Sequence, residues 1–189
     1  MIDNYSVIKK RSSLSNTAGM LEVIQAISDM VEEGIILDFV IGGGAATSLY
    51  EVPYFTEDID FFCTYKQNSI FVILDPLFEY LKSRGGRWEE RKGKKVFVLG
   101  VWPVDFTPAT TKLVEEAMQN ANLFEVSGTH FKMFSPEYLV AVALETNRSK
   151  DRYKAEMLLS NAKVDLPLLE EILKKYNLFE KYLDLKERL

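Results

Sequence analysis

The sequence of 189 residues contains a single cysteine, Cys63, which excludes an intramolecular disulfide framework and is typical of proteins in a reducing cytosol. No segment approaches the ~18 apolar residues of a membrane span, and the first residues lack the apolar core of a signal peptide. With a formal net charge of −5, the chain has no overall basic character that would indicate a large nucleic-acid partner. These absences predict a cytoplasmic protein with no membrane partner.

The composition is that of a packed globular protein, with 47% hydrophobic and 27% charged residues. This length suits one domain, or a core with an appended helical part. Strand and helix patterns alternate as far as residue 134, and only helical patterns follow. We therefore predict an α/β (α+β) core with a mixed sheet at residues 1–134 and a helical C-terminal extension at 135–189.

Apolar spacing and turn residues predict the individual elements. A helical pattern at 20–31 ends at Gly34, and the apolar run at 35–41 is typical of a strand covered on both faces. Asp75-Pro76 is typical of a helix start and predicts a helix over 75–83. The apolar spacing from Ile70 to Leu81 also fits a helix, so the segment before residue 75 stays open. The other predicted elements are a short helix at 45–50, strands at 58–64, 87–91, 94–99, 101–106, 123–126 and 129–134, and helices at 111–120, 138–146, 150–161, 166–176 and from 179 onward.

Three consecutive glycines, Gly42, Gly43 and Gly44, follow the first predicted strand. Because they lack β-carbons, their backbone N–H groups can close on an anion such as a phosphate. The short helix that follows points its N-terminus at the same turn and adds a partial positive charge. A tight strand-to-helix turn without a ligand is the alternative, so the glycines need support from elsewhere in the chain.

That support comes from two carboxylates at alternate positions of the next strand, Asp58 and Asp60. They project to the same face, while Ile59 projects to the other. Adjacent carboxylates repel each other unless they are protonated or bridged by a cation, for which hard divalent metals are the usual choice. Solvent-facing acids on an edge strand are the alternative, but the apolar neighbours favour an interior strand. A phosphate-binding turn beside a metal-binding pair predicts metal-dependent phosphoryl or nucleotidyl transfer.

A third acid, Asp105, lies between Val104 and Phe106 on a strand that is otherwise apolar. An acid in such a place is costly unless it is paired, bound to a metal or at the solvent edge of the strand. From a neighbouring strand, it could complete a two-metal site. The pattern does not determine whether the two strands are neighbours in the required register.

With these residues the sequence resembles the nucleotidyltransferase superfamily with the DNA polymerase β-like fold. It is most similar to the small prokaryotic branch of AbiEii-type and minimal nucleotidyltransferases. The glycines, Thr56-Glu-Asp-Ile-Asp-Phe-Phe62 and Val104-Asp-Phe106 carry the resemblance, and residues 135–139 and 148–151 extend it more weakly. The resemblance implies a mixed sheet with packed helices and an active site at the glycine end.

In this family pattern, residues 42–44 hold the triphosphate of an NTP. Asp58 and Asp60 bind two Mg²⁺ ions, with Mn²⁺ as the alternative ion, and Asp105 shares one metal and helps to deprotonate an acceptor hydroxyl. The implied reaction is Mg²⁺-dependent transfer of an NMP from an NTP to a hydroxyl on an RNA, a protein or a small molecule. The toxin branch adds an antitoxin as a partner. A catalytically silent nucleotide- or partner-binding module on the same fold is the alternative function.

Three positions depart from the family pattern. Tyr54 stands where relatives often have an arginine, Ala143 where the toxin branch commonly has a lysine, and Lys154 where it has an acid. The usual cation for the triphosphate is therefore missing. The candidate nucleotide-binding residues, besides the glycines, are Thr56, Lys66, Arg148 and Lys150. For the last two, a solvated helix face is the alternative. The sequence predicts neither the acceptor nor the oligomeric state.

Overall fold

The computed structural model describes the backbone of residues 8–10, 15–65 and 70–187. Lys66 lies outside these ranges, so its nucleotide-binding role stays a prediction. Among the helices in the described ranges, none has the length and apolar content that a bilayer crossing requires.

Within the described residues, eight strands form one mixed sheet in the order β1-β7-β8-β2-β3-β6-β5-β4. The pairs β1–β7, β2–β8 and β3–β6 are parallel, and the other neighbouring pairs are antiparallel. The strands are β1 (Ile8–Lys10), β2 (Asp38–Ile41), β3 (Ile59–Thr64), β4 (Arg87–Arg91), β5 (Lys94–Leu99), β6 (Trp102–Pro108), β7 (Asn122–Val126) and β8 (Thr129–Met133).

Helices connect these strands and then continue alone after β8. They are α1 (Ser15–Glu32), α2 (Gly43–Leu49), α3 (Ile70–Ser83), α4 (Lys112–Gln119), α5 (Pro136–Thr146), α6 (Ser149–Asn161), α7 (Leu166–Lys175) and α8 (Phe179–Lys186). The mixed sheet with packed helices and the helical C-terminal segment confirm the predicted fold class.

The central strands carry the most deeply buried residues of the sheet. Ile41 of β2 and Ile59 and Phe61 of β3 have no exposed surface. Val140 and Leu144 of α5 are equally buried and belong to the same hydrophobic cluster. Helix α5 also packs against α2 and α6. Helices α5 and α6, which both pack against α2, are thereby placed next to the turn between β2 and α2. A domain boundary at residue 134 stays a prediction.

Two predicted boundaries are wrong. Helix α3 begins at Ile70 and not at residue 75, so Pro76 lies inside it. The proline removes one intrahelical hydrogen bond, but the helical apolar pattern continues upstream of it. Strand β2 begins at Asp38 and not at residue 35, because the N–H groups of Ile35 and Ile36 both donate to the carbonyl of Met30 at the end of α1. The predicted hairpin of β4 and β5 is confirmed.

Candidate active site

The first two acids lie at the start of β3, which begins at Ile59, so Asp60 is on the strand and Asp58 immediately precedes it. Ile59 is completely buried, whereas Asp58 and Asp60 are only partly buried on the opposite face. Strand β6 runs parallel to β3, with Ile59 paired to Val104 and Asp60 paired to Asp105. The third acid therefore lies beside the first two.

Asp58, Asp60 and Asp105 together form a cluster that we call the acidic triad. One carboxylate oxygen from each residue lies within 4.8 Å of those from the other two. Asp105 is exposed, so the triad is open to solvent on that side. Three carboxylates that converge at this distance provide the hard oxygen ligands that Mg²⁺ and Mn²⁺ prefer.

The electrostatics of the triad favour a bound cation. Burial raises the pKa of Asp60, and the neighbouring charge of Asp58 raises it further. Burial and the charge of Asp58 also raise the pKa of Asp105. Lys154 and Lys150 act in the opposite direction on Asp60, as does Lys150 on Asp105. The charged forms of Asp60 and Asp105 are therefore disfavoured, and a bound cation would stabilise them.

The glycine turn is built around Asp60. Gly43 has a φ of +57°, and a Cβ placed on it would lie 1.6 Å from Oδ2 of Asp60. Only glycine lets the carboxylate approach the backbone this closely. The N–H of Gly42 donates to the carbonyl of Asp60 at 3.0 Å, so this donor is used inside the protein. The glycines thus have a role at the triad that sequence reasoning missed.

The flanking glycines are also required by close packing. A Cβ on Gly42 would lie 2.4 Å from the ring of Phe62, and a Cβ on Gly44 would lie 2.6 Å from Oγ1 of Thr56. The first N–H groups of a helix have no intrahelical acceptor. Because Gly43 and Gly44 are the first residues of α2, their N–H groups are the candidates for a phosphate contact. That contact stays a prediction.

Thr56 holds Asp58. Its hydroxyl lies 2.9 Å from Oδ1 of Asp58 and 3.1 Å from the carbonyl of the same residue. As an O–H donor, it orients the carboxylate toward the triad. The predicted contact of Thr56 with a nucleotide stays a prediction.

Helix α6 brings positive charge to the triad. Lys150 is exposed, and its positive charge acts to lower the pKa of both Asp60 and Asp105. Arg148, at the N-cap of α6, donates from Nε to Oδ2 of Asp151 at 2.6 Å and also interacts with the charge of Asp60. Two of the three predicted cations are thus near the triad, whereas Lys66 is not described. Their contact with a triphosphate stays a prediction.

Sequence reasoning did not identify Lys154 and Tyr54 as site residues. The side chain of Lys154 is only 11% exposed, with Nζ at 3.4 Å from Oδ1 of Asp151. Tyr54 lies against Gly44, and its ring centroid is 6.2 Å from that of Tyr153 on α6. Burial raises the pKa of Tyr54, and the charges of Asp151, Asp58 and Asp60 add to this. One available signal was the helical spacing, which places Lys150 and Lys154 on one face of α6.

The sequence matches no protein-family model and no curated protein. The structure, however, resembles several solved structures. It aligns with the crystal structure of an antigenic nucleotidyltransferase-like protein from Paracoccidioides brasiliensis with a TM-score of 0.57 and 17% identity, over 90% of this chain and 92% of the other. It aligns with the solution structure of the antibiotic-resistance factor ANT(2'')-Ia with a TM-score of 0.52 and 18% identity, over 93% and 98% of the two chains. The crystal structure of ANT(2'')-Ia in complex with adenylyl-2''-tobramycin aligns with a TM-score of 0.51 and 18% identity, over 86% and 98%.

Proposed function

Because the chain has a nucleotidyltransferase-like fold, we propose that it transfers a nucleoside monophosphate from an NTP to a hydroxyl group of an acceptor. The observation that carries this proposal is the convergence of Asp60 and Asp105, on two parallel strands, with Asp58, which immediately precedes β3. A nucleotidyl transfer needs such ligands because several negative charges must be neutralised as the reaction proceeds.

The triad fits a divalent metal. It offers three carboxylate oxygens within 4.8 Å of one another, and the pKa values of Asp60 and Asp105 are raised, so a cation would relieve their repulsion. Asp58, Asp60 and Asp105 would hold the ions, with two Mg²⁺ predicted and Mn²⁺ as the alternative. When bound, Mg²⁺ supplies Lewis-acid stabilisation of the charge that develops on the phosphate oxygens.

In the proposed reaction, the acceptor oxygen forms a bond to the α-phosphorus, and the bond from the α-phosphorus to the oxygen that bridges to the β-phosphate breaks. Pyrophosphate leaves with that oxygen. The hydroxyl proton passes to the carboxylate of Asp105, which is the exposed member of the triad. Lys150, Arg148 and the N–H groups of Gly43 and Gly44 bind the triphosphate.

The direct test is transfer of a radiolabelled α-phosphate. The protein is incubated with Mg²⁺ and each of the four NTPs in turn, together with total RNA, with protein extract or with a small-molecule extract. Label that appears in one fraction identifies both the acceptor class and the preferred base. The proposal is contradicted if none of the fractions becomes labelled with any of the four NTPs.

Calorimetry separates nucleotide binding from catalysis. We expect NTP binding that is strengthened by Mg²⁺ in the wild type and is insensitive to Mg²⁺ when Asp58→Ala and Asp60→Ala are combined. The same Mg²⁺-independent binding in both proteins would count against a metal-dependent enzyme.

Two observations favour a second candidate, a silent nucleotide- or partner-binding module. Tyr54 lies against Gly44, and the nearly buried Lys154 brings positive charge to the triad. Both are departures from the family pattern. NTP binding without any turnover, and without dependence on Mg²⁺, would support this candidate over the enzyme.

We further propose that the enzyme is the toxin of a toxin–antitoxin pair. Expression of the chain alone would arrest growth, and Asp60→Ala would abolish the arrest because the triad is lost. If overexpression of the wild type has no effect on growth, the toxin role is contradicted. The transfer reaction is tested separately by the radiolabel assay.

A further inference from the structure

A cleft of about 920 Å³ is formed by residues other than those of the acidic triad and the glycine turn. It opens between the C-terminal end of α2, the start of β7, the N-terminal end of α5 and the connection from α6 to α7. Small-molecule sites typically have volumes of about 300–1,000 Å³. The polar side chains along its walls include Tyr50, Asn120, Asn122, Ser135, Glu137 and Asn161.

The hydroxyl groups of this cleft use their protons within the protein. Ser135 donates to Oε2 of Glu137 at 2.6 Å, and Tyr50 donates to the carbonyl of Phe134 at 3.0 Å. A hydroxyl group has one proton and two acceptor lone pairs. Both hydroxyl groups can therefore offer a ligand only their lone pairs.

The three asparagines of the cleft are oriented in the same sense. The amide nitrogens of Asn120 and Asn161 each donate at 2.9 Å to the carbonyl four residues earlier in the chain. The amide nitrogen of Asn122 donates at 2.9 Å to the hydroxyl of Tyr50. Each nitrogen thus faces an acceptor inside the protein, which leaves the oxygen on the other branch of the amide as the atom available to a ligand.

Glu137 adds a carboxylate that is only 6% exposed. One of its oxygens accepts from the N–H of Asp165 at 2.8 Å and the other from Ser135, and each oxygen has a second lone pair. Glu51 adds an exposed carboxylate, and the whole chain has a net charge of −5. Acceptor atoms and negative charge together favour a cation that carries N–H donors and disfavour an anion.

The cleft also has apolar surface. Phe124 and Tyr138 are 1% and 5% exposed, and Leu168 is exposed beside them in the same cleft. Methylene groups can pack on such a surface, and an ammonium group can lie against an aromatic ring. A ligand that alternates ammonium and methylene groups matches both parts of the cleft.

We propose that this cleft binds an aliphatic polyamine. Its ammonium groups donate to the carboxylate of Glu137 and to the amide oxygens of the three asparagines, and its methylene segments pack on Phe124 and Tyr138. The site is separate from the acidic triad, so the inference does not depend on the proposed nucleotidyl transfer.

Calorimetric titration of the full chain with spermidine, without nucleotide, tests the proposal. We expect one binding site per chain. Glu137→Gln removes a buried charge and is expected to weaken binding by about 10- to 100-fold. Glu51→Gln removes an exposed charge that solvent screens, so a loss of about threefold is expected. Lys163→Gln removes an exposed positive charge that lines the cleft and should tighten binding by about threefold.

A matched variant and a matched pair of ligands serve as controls. Glu90→Gln removes an exposed carboxylate from β4, at the far end of the sheet from β7, and should leave the affinity unchanged. Hexane-1,6-diamine and hexamethonium have the same chain and the same charge, but hexamethonium has no N–H donors. We expect hexamethonium to bind at least about 10-fold more weakly than the diamine.

Thermal melting identifies any variant that does not fold. If Glu137→Gln is unfolded, the exposed positions Glu51 and Lys163 decide the outcome. The proposal is overturned if spermidine does not bind, if hexamethonium binds as tightly as the diamine, or if Glu90→Gln weakens binding as much as Glu51→Gln does. The last two results would indicate a general attraction of cations to an acidic protein.

Discussion

Asp60 of β3 and Asp105 of β6 are direct partners across a pair of parallel strands. Side chains paired in this way project to the same face of the sheet. Asp58, which immediately precedes β3, places a carboxylate oxygen within 4.8 Å of theirs. The register of β3 and β6 therefore brings Asp105 to the two acids at the start of β3. A slip of a single residue in β6 would turn Asp105 to the opposite face.

Replacing Asp60 by asparagine tests the repulsion within the triad. Because burial and then Asp58 raise the pKa of Asp60, the folded state binds its proton more readily than the unfolded state does. Stability therefore falls as the pH rises from the ordinary value of 3.8 through the raised pKa, and it stays reduced at neutral pH. We expect Asp60→Asn to raise the melting temperature at pH 7 without divalent ions, by about 2–4 °C.

Thermal melts of both proteins with and without Mg²⁺ check this expectation. Mg²⁺ should stabilise the wild type more than Asp60→Asn, because the variant has lost a ligand. Asp184→Asn, at an exposed position of α8, is the matched control and should change little. A melting temperature of Asp60→Asn that is equal to or below that of the wild type at pH 7 would contradict the prediction.

Replacing Gly43 by alanine tests the close approach of Asp60. The new Cβ would lie 1.6 Å from Oδ2 of Asp60, at a φ of +57°, so the carboxylate must move. We expect transfer activity to fall by about 100-fold, because a displacement of about 1 Å at a reacting centre has an effect of that size.

Gly93 offers a matched control for Gly43→Ala. It also has a positive φ, of +73°, but a Cβ there would meet no atom within 4 Å. Gly93→Ala should show the backbone strain alone, as a modest loss of stability with activity retained. Equal losses of activity in the two variants would mean that strain, and not the displacement of Asp60, is responsible.

Thr56→Val removes the hydroxyl that donates to Asp58 and keeps the shape of the side chain. Hydrogen bonds to charged groups contribute about 1.5–3 kcal/mol, so we expect kcat to fall by about 10- to 100-fold. Steady-state kinetics over a range of Mg²⁺ concentrations should also show that the variant needs more Mg²⁺ to reach half of its maximal rate. Thr56→Ser retains the donor and is expected to restore most of the activity, and failure to do so would show that the methyl group matters more than the hydroxyl.

Asp151→Asn tests the network at the start of α6. Burial acts to raise the pKa of Asp151, but the hydrogen bonds from Arg148 and Thr146 and the charge of Lys154 hold it below its ordinary value. The stability that this carboxylate contributes is thus present above its unfolded pKa and is lost as the pH falls through its folded pKa. At pH 7 we expect Asp151→Asn to reduce the free energy of unfolding by about 2 kcal/mol.

Urea unfolding at pH 7 and in acid measures this loss, which should diminish in acid. Asp165→Asn is the control, because Asp165 is the N-cap of α7 and asparagine caps a helix about equally well. An unchanged free energy of unfolding for Asp151→Asn at pH 7 would show that the network does not stabilise the fold.

Several features of the fold follow from the sequence because they depend on residues close together in the chain. Lys92-Gly93 specifies the hairpin of β4 and β5, and both residues have the positive φ values that such a turn needs. The alternation of Asp58, Ile59 and Asp60 predicts which side chains share a face. The nucleotidyltransferase-like fold itself was predicted from the glycines and the three acids, and the structural comparisons confirm it.

Other features required the tertiary structure, because they depend on the relative placement of distant segments. The pairing of Asp60 with Asp105 joins residues far apart in sequence, and the apolar pattern of β6 fits either face equally well. The charges of Lys150 and Lys154 act on Asp60 because α6 packs against α2, the helix that begins at the glycine turn. Local patterns of polarity determine elements and their faces, whereas strand register and helix packing arise from the burial of side chains contributed by the whole chain.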